Sequence, residues 1–179
     1  TDLQGIYQKK NINTALVTIK VLKQSGIEIS DKAIKKGLKH VAGNTSFIGR
    51  WMVVNKKPLT IFDSAHNEGG LKELKKSISA LKYNKLHFVY GTVGDKDITA
   101  NLSSLPKKAI YYFCKADIPR ALDAGQLKEQ AAKFKLHGNV YPSVRKALKA
   151  AQKQAGKNDL IMVAGSVFVV AEVLNKKKR

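Results

Sequence analysis

The fold is decided by the stretch Leu59-Thr60-Ile61-Phe62-Asp63-Ser64-Ala65-His66-Asn67-Glu68-Gly69-Gly70. It begins with four residues of strand character, passes through an acid and a short polar turn, and ends at two glycines. A helical pattern of apolar residues follows over Leu71–Leu81. Open α/β sheets bind ligands where a buried strand ends in polar side chains before a helix, so Asp63 and His66 are candidate site residues. The same spacing is also typical of a helix cap formed by Asp63 or Asn67.

Composition favours a compact globular protein. The chain has 179 residues, 44% of them hydrophobic, and can therefore bury a core of ordinary size. No apolar run approaches the roughly 20 residues that span a bilayer, and no signal peptide opens the sequence. The single cysteine, Cys114, excludes an internal disulfide and a cysteine-rich zinc site. We expect a cytoplasmic protein without membrane contacts.

The net charge of +20 makes nucleic acid a partner to consider. Only four of the 33 basic residues are arginines, and the lysines are spread along the whole chain. Nucleic-acid readers tend to concentrate arginine and exposed aromatic residues on one face. Here several aromatic residues lie in strand-like runs that predict a core, namely Phe62, Phe88, Tyr111, Tyr112 and Phe113. The charge therefore favours a solvated lysine surface.

The chain has a helical beginning and a longer region of alternating strands and helices. Residues 11–25 and 30–41 show helical spacing, and residues 42–46 are predicted to form a loop or linker. Two short helices before any strand do not make a closed unit. We therefore expect residues 1–45 to be the helical end of a truncated domain and residues 46–179 to form a separate domain.

The alternation from Gly49 onward predicts an α/β fold, a Rossmann-like, mostly parallel sheet with helices on both faces. The predicted strands are Trp51–Val54, Leu59–Phe62, Leu86–Tyr90, Ala109–Cys114, a short one near Val140, and Leu160–Ala164. The predicted helices are 68–82, a short one through Ile98 and Leu102, 124–134, 143–154 and Val167–Leu174.

Polar residues follow four of the predicted strands. They are Asp63 and His66, the group Asp95, Lys96 and Asp97, the pair Asp117 and Arg120, and Ser166. Because the carboxyl ends of parallel strands lie along one edge of a sheet, these turns together predict a site. Acid, cation and hydroxyl groups suit the binding of phosphate and carboxylate. The sequence has no G-x-S-x-G elbow and no G-x-x-x-x-G-K-[ST] phosphate loop.

Six short motifs in a fixed order run through nearly the whole chain. They are Tyr7-Gln8-Lys9-Lys10-Asn11, Gly49-Arg50-Trp51, Asp63-Ser64-Ala65-His66-Asn67, Asp95-Lys96-Asp97, Pro119-Arg120 and Gly165-Ser166. In this order they resemble the C-terminal part of folylpolyglutamate synthases and dihydrofolate synthases, which are members of the Mur ligase superfamily. The sequence departs from that family at two positions, where Ser64 replaces a usual glycine and Glu68 a usual proline.

The resemblance implies an ATP-dependent ligase. ATP would phosphorylate the carboxylate of dihydropteroate or of a folate, and the amine of glutamate would attack the acyl phosphate to form an amide. The family's phosphate loop, its Mg²⁺ ligands and most of its folate site lie in an N-terminal domain that this sequence does not contain. We therefore expect no metal ligand here, no activity of the 179 residues alone, and a monomer whose partners are small molecules. The choice between dihydropteroate and folate stays open.

The resemblance also implies roles for individual residues around ATP. By motif position, Asn11, Arg50 and Asp63 would contact the nucleotide. Arg50 would reach the phosphates, and Asp63 would accept hydrogen bonds from ribose or base. His66 would lie beside the phosphates or the incoming glutamate and take part in catalysis. In the structural alternative, Arg50 simply pairs with a surface acid.

The remaining motif positions imply a second catalytic residue and a glutamate site. Lys96 would add positive charge near the γ-phosphate, while Ser166 and Arg120 would bind the glutamate. The structural alternative for Asp95 and Asp97 is that they only cap the next helix.

The competing hypothesis is a basic nucleic-acid-binding module. Gly91-Thr92-Val93-Gly94 matches the GXXG loop with which KH domains hold a nucleic-acid backbone. That loop joins two helices in KH domains, whereas here it follows a predicted strand. An isolated dinucleotide-binding domain is excluded because no G-x-G-x-x-G follows any strand.

Overall fold

The structure is a computed structural model that describes residues 1–94 and 97–174 of the chain. The strands are β1 (Met52–Lys56), β2 (Leu59–Phe62), β3 (Leu86–Tyr90), β4 (Ile110–Cys114), β5 (Gly138–Tyr141) and β6 (Leu160–Ala164). The helices are α1 (Gln8–Gln24), α2 (Asp31–Lys39), α3 (Val41–Thr45), α4 (Glu68–Ser79), α5 (Thr99–Ser104), α6 (Ala124–Ala132), α7 (Val144–Gln154) and α8 (Val167–Leu174).

The six strands form one sheet in the order β1-β2-β6-β3-β4-β5. All neighbouring pairs are parallel except β1 and β2, which are antiparallel because only a tight turn joins them. The mostly parallel sheet is therefore confirmed. Since β6 lies between β2 and β3, the polar turns after β2, β6, β3 and β4 are neighbours along one edge of the sheet.

Two apolar cores lie on opposite faces of the sheet, because successive side chains of a strand point to opposite sides. On one face, Phe88 and Met162 pack with residues of α4, α5 and α6. On the other face, Val89 and Val163 pack with residues of α7 and α8. The aromatic residues that were expected in the core are buried. The prediction of helices on both faces is confirmed.

A buried polar network lies at the amino end of the central strands, on the edge away from the predicted site. His87 on β3 places Nδ1 2.8 Å from the Tyr112 hydroxyl and Nε2 3.1 Å from Asp159 Oδ2. Burial by itself raises the pKa of Asp159, but hydrogen bonds from the Gly156 N–H, from His87 and from the Lys85 N–H outweigh it and hold the pKa below its ordinary value. The network joins β3, β4 and the start of β6.

The structure differs from the prediction at residues 42–46, which were expected to form a loop or linker. Most of this expected loop belongs to α3, whose first turn is capped by Asp2 from the start of the chain. The Asp2 carboxylate accepts hydrogen bonds from the N–H groups of Ala42, at 3.1 Å, and Gly43, at 3.4 Å. Ser46 then ends the helix with a left-handed φ of 52°. Because the capping acid lies 40 residues away, local turn signals could not reveal this helix.

None of the helices in the described ranges is long and apolar enough to cross a membrane.

Candidate functional site

A cavity of about 270 Å³ lies at the carboxyl end of β2. Three segments line it: the beginning of α1, the residue before Trp51, and the turn that leads from β2 into α4. The lining residues are Tyr7, Lys10, Asn11, Arg50, Asp63, Ser64, Ala65, His66, Asn67, Gly69, Gly70 and Glu73. The cavity thus brings together all four residues that were expected to contact ATP. We call it the β2-end cavity.

Asp63 is the buried centre of this site, with 2% of its surface exposed. Its backbone N–H donates to the Val163 carbonyl at 2.9 Å, which extends the ladder between β2 and β6 by one residue. Its Oδ2 accepts hydrogen bonds from the Tyr7 hydroxyl at 2.6 Å and the Trp51 N–H at 2.9 Å. Its Oδ1 accepts one from the Ala65 N–H at 2.9 Å. One carboxylate therefore joins the three segments that line the cavity.

Tyr7, which contacts Asp63, belongs to the other expected domain. Its hydroxyl group stays protonated. Burial raises the pKa of Tyr7 far above its ordinary value, and the adjacent Asp63 carboxylate raises it further. A protonated phenol donates a short hydrogen bond to a carboxylate. The role of Tyr7 was not predicted, although it opens one of the six motifs. Its partner lies 56 residues away, and no local pattern connects the two.

Arg50 occupies a backbone segment with two left-handed neighbours, Gly49 at φ 78° and Trp51 at φ 48°. The Asp63 bond to the Trp51 N–H holds this conformation, which few non-glycine residues adopt. The Arg50 guanidinium lies 5.7 Å from the centre of the Phe47 ring. Among residues 1–94 and 97–174 no carboxylate forms an ion pair with it, so the surface-acid alternative is not observed there.

Two further hydrogen bonds shape the turn after β2. Asn67, and not Asp63, caps α4, because its side-chain oxygen accepts from the Gly70 N–H at 2.8 Å. His66 is exposed, and its Nδ1 lies 2.9 Å from the Ser64 carbonyl. A carbonyl only accepts, so Nδ1 carries the proton and Nε2 is the nitrogen available to a ligand.

Gly165, at the end of β6, connects the turn after β2 to β6, the neighbouring strand in the sheet. Its N–H donates to the Ala65 carbonyl at 3.0 Å. Its φ of 114° is one that residues with a side chain rarely adopt, and a Cβ atom here would lie 2.2 Å from the Gly91 carbonyl oxygen. The Gly165-Ser166 motif is thereby held directly beside the Asp63–Asn67 turn.

Ser166 and Arg120 both contact Phe168 in the first turn of α8, and neither lines the β2-end cavity. The buried Ser166 hydroxyl accepts a hydrogen bond from the Phe168 N–H at 2.9 Å. The Arg120 guanidinium lies 5.0 Å from the centre of the Phe168 ring. The same ring lines a second cavity of about 940 Å³ beyond β4 and β5, whose polar lining is Lys115, Asp117, Ser143, Arg145 and Glu172. We call it the β4-end cavity.

The turn after β3 is only partly described. Lys96, the second expected catalytic residue, and Asp95 lie outside the described residues. Asp97 accepts a hydrogen bond from the Thr99 N–H at 2.8 Å, as the capping alternative for this residue predicts. Within residues 1–94 and 97–174 no group of three or more histidine, cysteine, aspartate or glutamate side chains is placed to hold a metal ion.

Comparison with known proteins identifies the class. Residues 49–167 match the family model described as Mur ligase, glutamate ligase domain. The match covers well over half of the chain, so the chain belongs to this family.

Individual relatives are more specific. The dihydrofolate synthase/folylpolyglutamate synthase of Escherichia coli is 32% identical over 162 residues, which are 89% of this chain and 36% of that protein. A crystal structure of bifunctional folylpolyglutamate synthase/dihydrofolate synthase from Yersinia pestis, complexed with AMPPNP and Mn ion, is 31% identical with a TM-score of 0.72, over 87% of this chain and 36% of that one. A structure of a bifunctional enzyme of the same name, with Mn, AMPPNP and L-glutamate bound, has 31% identity and a TM-score of 0.73, over 87% of this chain and 37% of that one. The chain thus spans about a third of the length of these relatives.

Proposed function

We propose that the chain is the C-terminal part of an ATP-dependent ligase that joins glutamate to dihydropteroate or to a folate through an acyl phosphate. Its task would be to close over ATP and to help bind glutamate. The observation that carries the proposal is the β2-end cavity, where Asn11, Arg50 and His66 surround the buried Asp63. Family membership and the nucleotide and glutamate bound in related structures support it.

Each residue of the cavity has a distinct part in this proposal. Arg50 supplies the cation that counters negative charge on the transferred phosphoryl group. His66 offers Nε2 to a phosphate or to the incoming amine, since Nδ1 is bound to the Ser64 carbonyl. Asp63 uses about three of its four acceptor positions on protein donors, which leaves one for a ribose or base donor. Its larger contribution is then to hold Tyr7 and Arg50 in place.

We further propose that residues 1–45 are the helical end of the central, ATPase domain and that residues 46–179 are the C-terminal domain. α1 supports this division, because four of its apolar residues remain exposed. These are Leu16, Val17, Val21 and Leu22, of which Val17 has 63% of its surface exposed. Several large apolar side chains exposed on one helix are ordinarily covered by another element. The β2-end cavity would then be the nucleotide site between the two domains.

The other features that we expect of the whole protein also stay proposals. For the whole protein they are Mg²⁺ bound with ATP by residues outside this chain, a cytoplasmic location and a monomeric state. For single residues they are a catalytic role of Lys96 and binding of glutamate by Ser166 and Arg120. The Gly91–Gly94 loop gives the nucleic-acid hypothesis no support. It follows β3, Thr92 is buried, and the loop bonds to Arg120 and Leu122.

Nucleotide binding by the full-length ligase tests this proposal. We expect Arg50→Ala to weaken the binding of AMPPNP, measured by titration calorimetry, by about tenfold or more, the typical loss for a charge-assisted phosphate contact. Lys39→Ala, an equal loss of charge at the exposed end of α2, is the control and should leave the affinity unchanged. Equal affinities of the Arg50 variant and the unchanged protein would contradict the proposal.

A further inference from the structure

Glu172 on α8 joins three segments around the β4-end cavity. Its Oε2 accepts a hydrogen bond from the Asp117 N–H at 3.0 Å. Its Oε1 accepts from the N–H groups of Val144, at 3.0 Å, and Arg145, at 3.4 Å. Asp117 belongs to the loop after β4, and the other two residues form the first turn of α7. Both carboxylate oxygens are therefore used to hold α8, this loop and α7 together.

The loop that Glu172 holds also carries Arg120. α8 contacts the loop at two points one helical turn apart, because Phe168 lies under the Arg120 guanidinium and Glu172 binds the Asp117 N–H. The Arg120 carbonyl accepts a further hydrogen bond from the Gly94 N–H at 2.9 Å. The Arg120 backbone is thus held by Gly94, and its side chain contacts Phe168.

We propose that Glu172 is a positioning residue for the glutamate site. It would fix the loop that presents Arg120 and, with it, the wall of the β4-end cavity that Lys115 and Phe168 complete. This inference rests on the proposed function, in which Arg120 and Ser166 bind the glutamate.

The chemistry of a carboxylate explains why a glutamate is needed at this position. A carboxylate accepts hydrogen bonds at both oxygens, whereas an amide of the same shape accepts at one atom and donates at the other. In Glu172→Gln, the side chain can therefore accept a hydrogen bond from the loop or from α7, but not from both. The carboxylate also accepts from two N–H groups at the N-terminus of α7, where a negative charge is favourable.

Steady-state kinetics of the full-length ligase separates this role from a purely structural one. We expect Glu172→Gln to raise KM for glutamate about tenfold, as for the loss of one charge-assisted hydrogen bond, while KM for ATP and for the folate substrate change less than twofold. Phe168→Leu, which removes the ring under Arg120, should raise the same constant. Glu129→Gln is the matched control, since this residue on α6 carries the same charge and is exposed.

The outcomes distinguish the positioning role from the function on which it rests. A KM for glutamate that stays unchanged in a folded Glu172→Gln enzyme would overturn the role of Glu172 alone, because KM does not depend on the fraction of enzyme that folds. Equal increases in all three KM values would overturn it as well. If the unsubstituted enzyme showed no glutamate-dependent turnover at all, the proposed function would fail and Glu172 would lose its role with it.

Discussion

Replacing Asp63 by asparagine tests whether one buried carboxylate holds the candidate site together. Asparagine has the same shape, but one of its two terminal atoms is a donor. If the amide nitrogen of the new side chain faces Ala65, it is a donor pointed at another donor, the Ala65 N–H. If it faces Tyr7 and Trp51, the Tyr7 hydroxyl can turn and accept, whereas the Trp51 N–H cannot. Either orientation leaves one buried backbone donor without an acceptor.

The size of the effect follows from these bonds. A buried donor left without an acceptor costs about 1–3 kcal/mol, and hydrogen bonds to a charged group contribute about 1.5–3 kcal/mol each. Because the two losses overlap, we expect the free energy of unfolding to fall by about 2–4 kcal/mol. For a chain of this length each kcal/mol lowers Tm by roughly 2–4 °C, so the expected decrease is roughly 5–15 °C.

The assay can use the fluorescence of Trp51 during unfolding in guanidinium. Trp51 is the single tryptophan of the sequence, is 8% exposed, and donates one of the hydrogen bonds in question. Asp31→Asn is the control: its side chain is 83% exposed and pairs with the exposed Lys23 at 3.2 Å, so stability should change by less than about 1 kcal/mol. A loss for Asp63→Asn as small as that of the control would show that the Asp63 carboxylate does not hold the site together.

Two further predictions concern a glycine and the single thiol. Gly165→Ala should lower the free energy of unfolding by about 2 kcal/mol or more, since the new Cβ would meet the Gly91 carbonyl oxygen. Gly26 also has a positive φ but has open space around it, so Gly26→Ala should lower the same free energy by only about 1–2 kcal/mol. Equal losses would contradict the packing argument. Burial raises the pKa of the Cys114 thiol, so iodoacetamide at pH 8 should label the protein only after unfolding in guanidinium, and rapid labelling of the native protein would contradict this.

Much of the fold could be predicted because its signals are local. β2, β3 and β6 have the predicted limits and α8 begins at the predicted residue, since each is an apolar run preceded by turn residues. Other ends differ. α1 begins three residues earlier than expected, and α4 ends at Ser79 rather than at residue 82. Such ends depend on how the last turn packs, which the local pattern does not contain.

The contacts that could not be predicted join residues far apart in the chain. Asp2 caps α3, Tyr7 binds Asp63, and Glu172 binds the Asp117 N–H over a separation of 55 residues. In the sequence, Glu172 is one acid in an apolar helix, and its three donors are backbone groups, which leave no signature in side-chain patterns. The motif order placed Asn11, Arg50, Asp63 and His66 in one site, and the β2-end cavity contains all four.

Asp63 is both a ligand candidate and the residue that builds the cavity. Its three hydrogen bonds set the position of Tyr7, of the backbone next to Arg50, and of the turn that carries His66. Loss of this carboxylate should therefore affect nucleotide binding beyond any direct contact with ATP, because Arg50 and His66 would lose their fixed backbone.

Phosphate release by the full-length protein measures the proposed ligase reaction itself. Dihydropteroate and tetrahydrofolate would be offered separately, each with ATP and glutamate, to the unchanged enzyme and to Asp63→Ala. We expect release that requires both glutamate and a pterin and that collapses in the variant, and the better pterin would show which activity dominates. A well-folded enzyme that releases no phosphate in response to either pterin would contradict it.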